Sequence, residues 1–347
     1  MEDTHSSDAS DGSSMSYRLA PLPSQECPVC ASRSGLLRCS GCRVVGYCGT
    51  AHQSVHRSEH KTACKAIKKS RENLEREEAA LRAQPADFMM PADVFTNGVG
   101  RFWGIVGTRD YMRARFAAAS ALLEVESVRA VEMALDHLKD MLDLCRSDNL
   151  GVRDIVPNLL LRLGKEQECY DFLKWWAVID DKDHYNGKYN WSDPTQPYLD
   201  IHNANVFEPI GILCSGNLSL TQLAALTLLK LRLYLDLDAY ATKAEDMFES
   251  DMCYYEPDRP VGRLVRARMR TNTMPDLSAT AEILKEQYLE LCEVVHKKNP
   301  HFWEALVEEE ASYPPPILFA GFSRGSGSGC LPMFTCLARE RGCHFDG

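Results

Sequence analysis

The sequence has no long apolar run free of charge. Its most apolar stretch, LSLTQLAALTLLKLRLYLDL at 218–237, carries Lys230 and Arg232 in mid-span. It reads as a buried core helix and not as a membrane span. The opening residues MEDTHSSDASDGSSMS lack an apolar segment, so 1–24 is expected to be a polar, disordered tail without a secretory leader. No nucleophile elbow, P-loop or HExxH pattern occurs, and no catalytic residue is assigned. The net charge of −10 argues against a general binder of polyanions. An intracellular compartment, nucleus or cytoplasm, is therefore expected. In that reducing setting the fourteen cysteines do not form a disulfide framework.

What the sequence does have is a cluster. Six of the cysteines lie between residues 27 and 64, and clustered intracellular cysteines point to metal. CPVCASRSGLLRCSGC supplies two CxxC pairs, Cys27/Cys30 and Cys39/Cys42. Each CxxC turn aims two thiolates at one cation, and zinc accepts four ligands tetrahedrally. YCGTAHQSVHRSEHKTAC follows, with Cys48, His52, His56, His60 and Cys64 at intervals of four. Read as helix, residues at i and i+4 share a face. Cys48/His52 or His60/Cys64 can then chelate together. Distant members cannot, because sixteen helical residues span about 24 Å. Two CxxC pairs and two i,i+4 pairs make eight ligands, enough for two closed zinc sites, and leave His56 over as a surface or supporting residue. Spacing alone leaves open which pairs share a metal.

The pattern C-x2-C-x8-C-x2-C-x4-Y-C-x3-H-Q-x6-H-x3-C closely resembles the MYND zinc finger over residues 27–64. The resemblance implies interleaved sites: Cys27, Cys30, Cys48 and His52 on one zinc, and Cys39, Cys42, His60 and Cys64 on the other. His52 stands where the family has Cys, and the site is expected to survive with it. Arg57 stands where the family has Trp. In the fingers that bind proline-containing peptides, that Trp and the Gln matching Gln53 help form the docking surface. Gln53 and Arg57 are therefore the candidate partner-binding residues, and docking of a proline-containing peptide is put in doubt by the missing Trp. Both zincs are expected to be structural, since protein fills every coordination position. About forty residues bury too little apolar surface to fold alone, and zinc binding supplies the folding drive.

Beyond the cluster, KAIKKSRENLEREEAALRAQ (65–84) reads as a solvent-facing helix that Pro85 and Pro91 terminate. Val131, Leu135, Leu138, Met141, Leu142 and Cys145 recur at helical steps. Val152, Ile155, Val156, Leu159, Leu160 and Leu163 form a second stripe that ends at Gly164, with Pro157 kinking it or marking its true start. Short helices on tight turns suggest antiparallel helix pairs. DNLGVRDIVPNLLLRLGKEQECYDFLKWW resembles the helical domain of uncharacterised fungal MYND proteins. Residues 181–215 read as a long solvated loop, in which Asp180, Asp181, Asp183, His184 and His202 lack metal-ligand spacing. Trp175 and Trp176 read as core, and 262–270 as an exposed basic helix face. Three prolines and RGSGSG precede Cys330, Cys336, Cys343 and His344, whose spacings do not make a metal site, and a dispensable tail is expected there.

The expected organisation is thus mostly α: a disordered tail at 1–24, a two-zinc finger at 25–66, a linker helix at 67–90, an α-helical TPR-like domain at 91–310 and a disordered tail at 311–347. The expected function is a non-enzymatic zinc-binding adaptor or scaffold for protein partners, with transcriptional regulation implied by the resemblance. Membrane association is not expected. DNA binding is disfavoured, because no second helix is positioned for groove readout. The alternative is a SET-and-MYND-like lysine methyltransferase. It is disfavoured because only 26 residues precede Cys27, where substantial SET sequence should stand. In addition, Asn97-Gly98-Val99-Gly100 reads as a turn.

Overall fold

The computed structural model describes residues 25–179, 189–191, 193, 195–248, 262–270 and 273–307. The expectations for the 1–24 and 311–347 tails, for Asp180, Asp181, Asp183 and His184, and for Cys330, Cys336, Cys343 and His344 lie outside the described residues. The architecture is mostly helical, as its sequence periodicity requires. Among the described residues no helix is long and apolar enough to cross a membrane.

A small module opens the described chain. Strand β1 (Leu37–Arg38) pairs antiparallel with β2 (Gly46–Tyr47). Helix α1 (Thr50–Val55) and helix α2 (Arg57–Ala83) follow. The stretch 47–64 is thus not one continuous helix. The chain breaks at His56, and Cys48 precedes α1. The break lets one cluster place His52 and the other place His60, which an unbroken rod would hold in fixed relation. Helix α2 then runs without interruption from the module into the body. His60, Cys64 and Ile67 are buried in its first half, and Leu74 and Leu81 in its second. That second half packs on α4 (Arg109–Leu123). Arg82 closes its far end by lying over the Phe95 ring at 4.1 Å.

The body is built of packed helix pairs. Helix α3 (Val94–Asn97) and two 3-10 turns lead into α4. Gly98 must stay small there, because a Cβ on it would lie 2.7 Å from the Val94 carbonyl. Helix α4 packs on α5 (Val128–Leu144), which Ser127 caps by accepting from the Ala130 amide at 3.2 Å. Val131, Leu135, Leu138, Met141 and Leu142 are all buried, which is the stripe the spacing predicts. Pro157 lies in the first turn of α6 (Val156–Arg162) and so marks a start, not a kink. Past its end, Gly164 takes φ 66°. The Gly164 amide donates to Leu161 and the Lys165 amide to Leu160, a Schellman closure that favours glycine.

Helix α7 (Glu166–Ile179) buries both Trp175 and Trp176. Helices α8 (Gly211–Ser215), α9 (Leu220–Phe248), α10 (Arg263–Met269), α11 (Met274–Lys298) and α12 (Phe302–Val307) complete the order. Helix α9 packs chiefly on α11. The loop expected over 181–215 therefore ends in a short helix, and its described part is not simply solvated. The Trp191 ring stacks on Trp176 at 5.7 Å, and the Asp171 carboxylate accepts from the Asn203 and Ala204 amides, both at 2.9 Å. His202 stays exposed and joins no metal-ligating group among the described residues.

Lys230 is fully buried in α9. Its ammonium donates to the carbonyls of Val206 (2.5 Å) and Glu208 (3.4 Å) and lies 5.2 Å from the Tyr170 ring centroid. Burial pulls its pKa down to about 7, with the Glu208 carboxylate opposing. Between pH 7 and the ordinary lysine range the unfolded chain then binds more protons at this site than the folded one. Folded stability should rise with pH across that window and carry the full charging cost below it. In Lys230→Met this contribution disappears. Chemical denaturation of both proteins from pH 7 to 9 should show the wild type gaining on the variant by up to about 1.4 kcal/mol per pH unit. A constant difference would show that the lysine stays charged in the fold throughout this range.

Candidate metal centre

The two CxxC segments fold as matching knuckles. The Ala31 amide donates to the Cys27 carbonyl and the Arg43 amide to the Cys39 carbonyl, each at 2.8 Å. The residue after each second cysteine takes positive φ, 55° at Ala31 and 63° at Arg43. Both knuckles thereby turn two sulfurs to one side. The i,i+4 pairs meet them crosswise. Cys27, Cys30, Cys48 and His52 form one group and Cys39, Cys42, His60 and Cys64 the other, with the ligand atoms of each group within 4.8 Å of one another.

The separations suit a tetrahedral cation. Bonds of about 2.3 Å to sulfur and 2.0–2.1 Å to nitrogen put sulfurs about 3.8 Å apart and sulfur and nitrogen about 3.5 Å apart. In the first group, Cys30 and Cys48 sulfurs are 3.6 Å apart, Cys27 and Cys48 sulfurs 3.8 Å, and Cys27 Sγ and His52 Nδ1 3.5 Å. Cys48 Sγ to His52 Nδ1 is tighter, at 2.9 Å. In the second group, Cys39 and Cys64 sulfurs are 3.7 Å apart, and Cys42 Sγ lies 3.3 Å from His60 Nε2. The histidines turn different ring nitrogens inward, Nδ1 from His52 and Nε2 from His60.

The thiols are also set at odds with one another, chiefly by burial and by hydrogen bonds among themselves and to the backbone. Burial pushes Cys42 up to about 11, and neighbouring Cys39 and Cys64 add to the rise. The hydrogen bond to Cys30, with burial and Cys27, lifts Cys48 to about 11. Cys27 goes the other way, to about 6: burial raises it, but backbone hydrogen bonds from Cys48, Val29 and Cys30 and the His52 side chain outweigh that. A dication amid each group removes the conflict.

A supporting layer surrounds the second group. Gln53 Nε2 donates to Cys39 Sγ at 3.6 Å, and the Val44 amide to Cys42 Sγ at 3.4 Å. Gln53 thus faces a ligand, while Arg57 is exposed. His56 belongs to neither group. Its Nδ1 meets the Tyr47 hydroxyl at 2.9 Å, and its Nε2 faces Glu59 at 3.5 Å. Its ring stacks on His60 at 5.8 Å, while Tyr47 meets His60 edge-on at 6.2 Å. Sequence spacing could set His56 aside as a ligand but could not reveal this buttress. Arg71, from α2, donates to the Gly41 carbonyl at 2.9 Å and ties the second knuckle to the helix.

The MYND finger family model matches residues 27–64. Together with the two four-residue groups, this makes the module a MYND-type zinc finger with room for two zinc ions. No curated protein and no solved structure matches the chain.

A Cβ on Gly41 would lie 2.7 Å from Cys64 Sγ, whereas one on Gly49 would meet nothing within 4 Å. Gly41→Ala should weaken one zinc and leave the other, with Gly49→Ala harmless to both; a chelator titration of each variant reads this. His56→Ala should retain both zincs by elemental analysis, while His52→Ala should lose one and His52→Cys neither. Loss of metal from His56→Ala but not from His52→Ala would show that the ligand register is wrong.

Proposed function

We propose that this chain is a non-catalytic adaptor in which a zinc-folded finger and a helical body offer two surfaces to protein partners. The observation that carries this reading is the completeness of the two ligand groups. Protein fills four positions in each, so the metal ions hold structure and leave no position for water or substrate. The second surface is supported by exposed apolar side chains on the body. Phe88, Met89 and Val106 are all exposed where the turn after α2 meets the turn before α4, Met90 lying against Gly107. Regulation of transcription, in the nucleus, is the setting this reading extends to by analogy with the finger family. Gln53 contributes to partner binding through the ligand it supports, and Arg57 directly.

The test is capture of partners by the tagged, zinc-loaded full chain from its native cells. The same protein set should be lost with Cys27→Ser or Cys64→Ser, each of which breaks one group. Equal capture by wild type and both variants would remove the finger from the adaptor role. A calorimetric binding signal for S-adenosylmethionine would replace the adaptor with a methyltransferase.

A further inference from the structure

The charge of the finger is lopsided. Residues 27–69 hold eight lysines and arginines against Glu59, a formal +7, so the remainder of the chain holds −17 of the total of −10. Two sites of three thiolates and one neutral imidazole lower the finger by about two, and it stays strongly positive. All eight cationic residues are exposed.

Four of them form a stripe. Arg57, Lys61 and Lys65 stand at successive four-residue steps of α2, with Lys68 on the same face. The stripe is about 17 Å long. Helix stability does not ask for it. The start of a helix favours anions, yet Arg57 is the first residue of α2 and Lys61 lies in its second turn. The second half of the same helix shows the ordinary arrangement, with Arg71 facing Glu75 and Arg82 facing Glu78. Lys68 reaches Glu72 at 3.7 Å, but Arg57, Lys61 and Lys65 have no ion-pair partner among the described residues. One half of α2 neutralises itself and the other is left open. Val55, the last residue of α1 and two positions before Arg57, is two-thirds exposed at 67% and offers an apolar contact near the start of the stripe in sequence.

We propose that this face of α2, from residue 57 to residue 68, is a docking surface for a short acidic protein segment. The inference rests on the adaptor reading and names the chemistry of its partner. Nucleic acid fits less well for two reasons on the molecule itself. The chain outside the finger is net negative and repels a long phosphate chain. The one aromatic residue of 27–69, Tyr47, is buried, so no exposed ring is present for base stacking.

The experiment is fluorescence anisotropy with the zinc-loaded full chain and a labelled peptide of about twelve residues, rich in Glu and Asp around a central Leu, at about 50 and 200 mM salt. Binding should weaken at the higher salt. The triple variant Arg57→Glu, Lys61→Glu, Lys65→Glu should lose at least about tenfold in affinity while elemental analysis still finds both zincs. The double variant Arg263→Glu, Arg266→Glu, which reverses two exposed cations on α10, should stay within about twofold. Undetectable peptide binding, an equal loss from the two variants, or tighter binding of a short DNA duplex than of the peptide would overturn the proposal. A triple variant that captures the same partners as wild type would remove the stripe and leave the adaptor reading standing.

Discussion

The cross-tie between each knuckle and the residues that follow it is what the finger depends on. Cys27 and Cys30 must be held by Cys48 and His52, and Cys39 and Cys42 by His60 and Cys64. Apart from the cysteines, Val44 and Tyr47 are the buried hydrophobic residues of 27–64. Two such side chains contribute a few kcal/mol at most, well short of the entropy of ordering nearly forty residues. The metal ions are therefore the core of this module. Because the pairs cross over, neither site can form without bringing two separate parts of the segment together. Each site thus presupposes much of the fold that the other needs.

That constraint is carried outward by α2. His60 and Cys64 occupy the same rigid helix as Leu74 and Leu81, so the second site fixes one end of a rod whose other end packs on α4. Arg71 adds a second tie, from the rod to the Gly41 carbonyl. The finger is not strung from the body on a loose linker. A surface on the first half of α2 is consequently held at a set place relative to the helical body, which suits a protein that presents two faces at once.

The ligands were legible in the sequence because eight metal-binding side chains at fixed short intervals have few other uses. Their crosswise pairing was not legible from spacing and came from resemblance. The break at His56 was hidden because 47–64 keeps a four-residue rhythm straight across it, and the contacts of His56 with Tyr47 and His60 are visible only in the fold. In the body, the apolar stripe of α5 and the stop at Gly164 were readable from local chemistry, the first from periodicity and the second from the conformation a Schellman closure requires. The 189–210 segment was misread as solvated because it carries turn residues and no helical period, and neither feature says which way a side chain faces.

That misreading identifies how the body is held together. Irregular backbone carries amides and carbonyls without ladder partners, and buried ones must find them elsewhere. Here charged side chains on the helices, or just past the end of one, supply the need. Arg146 donates to the carbonyls of Asp193 and Gln196, Lys230 to those of Val206 and Glu208, and Asp171 accepts from the amides of Asn203 and Ala204. The benefit is mutual. A buried ammonium or carboxylate is costly without hydrogen bonds, and the irregular segment provides them at positions a regular helix cannot offer. The lysine inside the most apolar helix is then not a flaw in the core. It is the partner that 206–208 requires, and Glu208 extends the tie by accepting from Tyr170 and Lys174 through its carboxylate and from Gln287 of α11 through its carbonyl. Helices α7, α9 and α11 thus meet through one short piece of non-helical chain, and packing of apolar faces alone would not have fixed its path.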